Sequence, residues 1–109
     1  MKTYLYKDTY SNEDLYLAPI IERYARDYSL AISLIEETYE PYADITVNID
    51  DSIMCEFDSA FVDTNNCPWA PKFIIDNKLG KPTGRYGFSG RCCYPEYKFN
   101  LKKLNKSED

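Results

Sequence analysis

The chain has 109 residues, with 13 Lys and Arg against 18 Asp and Glu and no histidine, for a formal charge of −5. That length implies one small domain, and 24 Ile, Leu, Val and Phe together with 17 aromatics supply a modest core and exclude a disordered chain. The missing imidazole excludes Ser/His/Asp and Cys/His nucleophile pairs, histidine general bases and every His-containing metal site.

The opening residues MKTYLYKDTY carry Lys2, Lys7 and Asp8, so they hold no apolar signal segment, and no later run approaches eighteen apolar residues; a cytoplasmic location is expected. Tyr4, Leu5 and Tyr6 predict an opening strand within residues 2–7. Residues 11–26 read in more than one way. Leu17, Ile20, Ile21 and Tyr24 have the spacing of one helical face, with Ser11 as a cap, but Pro19 cuts a long helix. A short helix over 19–26 that starts at Pro19, or a strand through the region, are the alternatives.

Leu30, Ile32 and Leu34 alternate with Ser29, Ala31, Ser33 and Ile35, and after a turn at Glu37–Pro41 the residues Ile45, Val47 and Ile49 alternate with polar ones. Together they predict a central β-hairpin over about 28–49. Phe57, Ala60, Phe61 and Val62 suggest a further short strand before the turn at Asp63–Asn66. Pro68, Trp69 and Pro71 predict a helix over about 69–78 that Gly80 terminates. Gly80, Gly84, Gly87 and Gly90 then mark a loop, and Cys92, Tyr94, Tyr97 and Phe99 a closing strand that Pro95 confines to an edge or a bulge. Residues 101–109 read as a frayed tail. The sum is an α+β domain over residues 1–109 with a mainly antiparallel sheet.

Charge is divided along the chain. Residues 1–66 hold 14 acids and 4 bases, a net of −10, while residues 67–109 hold 4 acids and 9 bases, a net of +5. An acidic surface repels nucleic-acid backbones and attracts the basic clefts built to hold them, so it can act as a nucleic-acid mimic. Asp44, Asp50, Asp51, Glu56 and Asp58 are the expected partner-binding residues. They lack the spacing of an EF-hand calcium loop. Arg85 and Arg91, in the glycine-containing stretch, are candidate anion ligands, although no P-loop spacing occurs and the predicted helix precedes the stretch. No cofactor is expected. Cys55, Cys67, Cys92 and Cys93 include no C-x-x-C knuckle and read as buried or half-buried thiols. A zinc site from Cys55, Cys67 and one of Cys92 and Cys93, completed by Asp58 or Asp63, is the alternative.

Three segments belong together: PYADITVNI at Pro41–Ile49, AFVDTNN at Ala60–Asn66 and GKPTGRYGFSGRCCYPEYKF at Gly80–Phe99. On these the chain resembles a family of small uncharacterised proteins carried by conjugative elements and phages of Gram-positive bacteria. The resemblance spans roughly Ser29 to Phe99, and it implies a mobile-element setting, in which small acidic proteins block host defence by binding. The expectation is therefore a non-enzymatic, anti-CRISPR-like inhibitor of a host defence nuclease that uses the acidic half as a mimic. The alternative is an accessory protein of transfer or replication that engages DNA or a nucleoprotein through Arg85, Arg91, Lys98, Lys102 and Lys103.

Overall fold

Apolar and polar side chains alternate in Leu30–Glu36, and that period places this segment in a strand with one face on the core. The computed structural model describes residues 2–8, 11–49 and 56–105. Strands β1 (Tyr4–Lys7), β2 (Asp14–Arg23), β3 (Leu30–Glu36) and β4 (Pro41–Asp44) form an antiparallel meander in that order. Tyr4, Leu17, Leu30, Ile32 and Leu34 turn to the main core, where each is at least nine-tenths buried.

Of the two readings of residues 19–26 the strand is the one that forms, and the short helix is corrected. Ile20 and Ile21 are both apolar, but Ile20 faces outward at 37% exposure while Ile21 packs on the core. A strand apolar on both faces thus reproduces helical spacing by coincidence. Pro19 fits because β1 last pairs with β2 at Tyr4↔Leu17, so from Ala18 onward β2 pairs only with β3 among the described residues.

The predicted hairpin forms between β3 and β4, but its second arm is not one strand. After Asp44 the chain leaves the first sheet, and β5 (Thr46–Val47) joins a second sheet with β6 (Ser59–Val62), β7 (Gly80–Ser89) and β8 (Cys92–Phe99), in the order β5-β6-β8-β7. Ile45 is the joint. Its N–H donates to the Ile32 carbonyl at 3.1 Å, and its carbonyl accepts from the Asp63 N–H at 2.9 Å. The Thr46 hydroxyl oxygen completes the join by accepting from the Ile32 N–H at 3.0 Å. One backbone unit therefore serves both ladders.

All four residues of β6 are buried. Ala60 and Val62 enter the main core with Tyr97 and Phe99, while Phe61 packs on the opposite face with Ile49 and Tyr94. Gly87 sits against that second cluster: a Cβ there would come within 2.8 Å of Ile49 Cδ1 and of Phe61 Cε1.

The predicted helix is α1 (Ala70–Asp76), with Ala70, Phe73 and Ile74 buried. Gly80 does not end it. Lys78 does, at φ 56°, with its N–H on the Ile75 carbonyl (3.0 Å) and the Leu79 N–H on the Ile74 carbonyl (2.9 Å), the bonds of a Schellman closure. Gly80 instead starts β7, where a Cβ would approach the Lys98 carbonyl oxygen to 2.7 Å. The glycine-containing stretch is likewise corrected from a loop to a strand. Its glycines absorb irregularities: Gly84 (φ 92°) lies in the register shift between Pro82 and Tyr86, and Gly90 (φ 60°) opens the two-residue turn to β8. Pro95 stands beside that shift and beyond the reach of β6, as expected. The tail is corrected in part, since Leu101–Leu104 form α2 with Leu104 buried and the Asn100 side chain accepting from the Lys103 N–H.

Candidate functional site

The residues of β1–β4 that alternate with the core set build an open outer face. Cross-strand pairing sets Leu5 beside Tyr16, Ala18 beside Ile35, and Ile20 beside Ser33. Leu5, Tyr16 and Ile20 are exposed at 45%, 46% and 37%. Around them, Asp14 lies beside Lys7, Glu22 beside Ala31 and Asp44 beside Ser33, and all three carboxylates are exposed. Among the described residues of this face, Lys7 is the one cation. An apolar centre with a charged rim has the anatomy of a protein-docking surface: the centre loses water at little cost and the rim orients the partner.

Of the five acids expected to bind a partner, Asp44 belongs to this rim, and Asp50 and Asp51 lie outside the described residues. Glu56 and Asp58 are elsewhere. They precede the Ser59 end of β6, whereas Asp44 lies at the Val62 end, next to the Ile45–Asp63 hydrogen bond. Asp58 is also partly offset by Lys98, whose Nζ is 3.8 Å from its Oδ2. The structure thus redistributes the acidic surface rather than gathering these residues in one place.

Arg85 and Arg91 are not brought together either. Arg91 occupies the β7–β8 turn, and Arg85 lies opposite Glu96, on the order of 15 Å back along the hairpin. Arg85 already has an anion of its own. Its Nε is 3.5 Å from Oε1 of Glu96, which also accepts from the Thr83 hydroxyl at 2.6 Å. Glu96 is 3% exposed, and its buried Oε2 has no hydrogen-bond partner among the described residues. In the basic half, Lys103 donates from Nζ to the Asn77 carbonyl at 2.6 Å and Lys98 pairs with Asp58, while Lys102 is exposed. Lys98 and Lys103 thus brace the fold at separate points.

Cys55 lies outside the described residues. Cys67 is in the main core, its thiol donating to the Asp44 carbonyl at 3.6 Å, and burial pushes its pKa up. Cys92 packs on the second cluster, and Cys93 is exposed, so the adjacent pair points to opposite faces as a strand requires. Among the described residues no three His, Cys, Asp or Glu side chains assemble a metal-holding group.

Sequence reasoning missed the outer face itself. The available signal was apolar residues on both parities of β2, which was read as helical spacing instead. Trp69, at the start of α1, is half-buried against Tyr6 with ring centroids 4.7 Å apart.

No helix among the described residues is long and apolar enough to cross a membrane. Neither the curated proteins nor the solved structures contain a match to the chain. Residues 20–109 match the family described as Domain of unknown function (DUF4313), a span that includes β3 through α2 and the C-terminal end of β2 from Ile20. The chain belongs to that small uncharacterised family, Domain of unknown function DUF4313.

Proposed function

We propose that this is a non-enzymatic binding protein that docks a basic protein surface through the outer face of its first sheet. The observation that carries the reading is the apolar group Leu5, Tyr16 and Ile20 rimmed by Asp14, Glu22 and Asp44. Large rigid side chains at the centre supply contact area, and the carboxylates favour a partner with a positive rim. A groove that normally holds nucleic acid is such a surface. The resemblance to proteins of conjugative elements and phages makes a cytoplasmic host defence nuclease, such as a CRISPR effector, the first partner to try, with the acidic rim standing in for phosphates. Binding DNA through the basic half is less favoured, because Arg85, Lys98 and Lys103 already hold partners within the protein.

The test is co-precipitation of the tagged protein from a Gram-positive lysate at moderate salt, with partners identified by mass spectrometry and nucleic acid assayed in the eluate. Stoichiometric recovery of a nucleic-acid-binding protein free of nucleic acid is expected, and the variant Asp14→Lys, Glu22→Lys, Asp44→Lys weakens it by about tenfold or more. Full binding by that variant in folded form would overturn the reading, as would recovery of DNA alone.

A further inference from the structure

A cleft of about 260 Å³ lies between the 24–29 turn and the start of β6. Its floor is apolar, made by Leu30, Val47, Ile49, Ala60 and Phe61, and two arginines and two exposed aromatic rings stand at its mouth. Tyr28 and Phe57 are 72% and 67% exposed.

The two arginines differ. Arg26 is committed: Nη2 donates to Asn48 Oδ1 at 2.6 Å and to the Ile49 carbonyl at 3.0 Å, and lies 3.6 Å from Asp27. Asp27 is itself bound by the Ser29 hydroxyl at 2.7 Å and the Ser29 N–H at 3.1 Å, and these bonds hold its carboxyl below the usual range. Arg23 has its guanidinium carbon 3.8 Å from the centroid of the Phe57 ring and donates Nη1 to the Phe57 carbonyl at 2.9 Å. Among the described residues it pairs with no carboxylate. Stacking fixes the guanidinium plane and leaves its remaining edge N–H groups directed within that plane, the arrangement that binds a carboxylate or phosphate. The Tyr28 ring is held 5.9 Å from the same guanidinium by a backbone at φ 60°, a conformation uncommon for a tyrosine and costly to maintain.

We propose that this cleft binds a small aromatic anion, with the ring on the apolar floor beside Phe57 and Tyr28 and the anionic group on the free edge of Arg23. The volume lies just below the usual range for small-molecule pockets, about 300–1,000 Å³, so the ligand is one ring with its anionic group. With Arg26 and Asp27 offsetting each other, Arg23 and Glu56 are the remaining formal charges among the described residues of the lining, so Glu56 acts against the ligand.

The test is a titration of the isotope-labelled protein with phenyl phosphate, and in parallel with benzoate, followed by amide and side-chain NMR shifts. Saturable shifts confined to Arg23, Tyr28, Asn48, Phe57 and their neighbours are expected. Arg23→Gln weakens binding about tenfold, Arg23→Lys weakens it less, and Glu56→Gln tightens it. The relative affinity of the two probes identifies the preferred anion. Shifts that do not saturate by about 10 mM, or an Arg23→Gln protein with native shift dispersion and unchanged affinity, would overturn the proposal. The triple variant of the outer face leaves phenyl phosphate binding intact, so the two readings succeed or fail separately.

Discussion

Burial pushes the Cys67 thiol above its ordinary range, with the carboxylates of Asp63 and Asp44 adding to the shift. Burial likewise raises the phenols of Tyr24, Tyr42 and Tyr97. A group held neutral in the folded chain ionises first in the unfolded one. The stability it contributes is therefore complete below the unfolded pKa and declines as pH rises from that value through the folded pKa. For Cys67 the decline starts near pH ~8.5, and for the tyrosines near ~10. Thermal midpoints measured from about pH 7 to 11 should fall on the alkaline side, with Cys67→Ala starting lower but showing a shallower slope between about pH 8 and 9.5. Equal slopes would remove Cys67 from this account. Such shifts were not legible beforehand, because four cysteines spaced along a sequence say nothing about which one enters the core. Arg85 makes the same point: as a residue it looked like an anion ligand, and it is one, but the anion is Glu96 of its own sheet.

The elements best read from sequence are those with one apolar parity. β3 alternates Leu30, Ile32 and Leu34 inward, and the structure buries each of them at 1% exposure. β2 stayed open between helix and strand because both its parities are apolar, and the glycine-containing stretch failed because glycines that favour turns in isolation here serve a register shift, a turn and close packing within a long hairpin. The end of α1 shows a similar substitution of roles. The glycine expected at the cap is two residues late, and Lys78 takes the left-handed position at φ 56°. That conformation costs an L-residue about 1 kcal/mol, so Lys78→Gly should stabilise the protein by about 0.5–1 kcal/mol. A urea midpoint unchanged or lowered by the substitution would show that the lysine side chain contributes more than its backbone costs.

At the scale of the molecule, both sheets share one buried cluster that runs from Tyr4 and Leu17 through Ile45 to Tyr97 and Leu104. Ile45 is 1% exposed and hydrogen-bonds to both ladders. Truncation to alanine at this joint should cost about 2–5 kcal/mol, and unfolding should remain one transition. Fluorescence of the single tryptophan, Trp69, and far-UV circular dichroism should then give coincident urea curves. Separate curves would mean that the sheets melt independently. From the sequence by itself came the α+β class, the inward parity of β3, a closing strand at β8, the helix before the last hairpin and the absence of imidazole chemistry, since each follows from residue type or from a period of a few residues. Only the tertiary structure decided that the hairpin arm splits between two sheets at Ile45, that Leu5, Tyr16 and Ile20 stay uncovered, and that Arg23 stacks on Phe57. These depend on pairing between distant segments, and alternation says which residues share a face but not what lies against it.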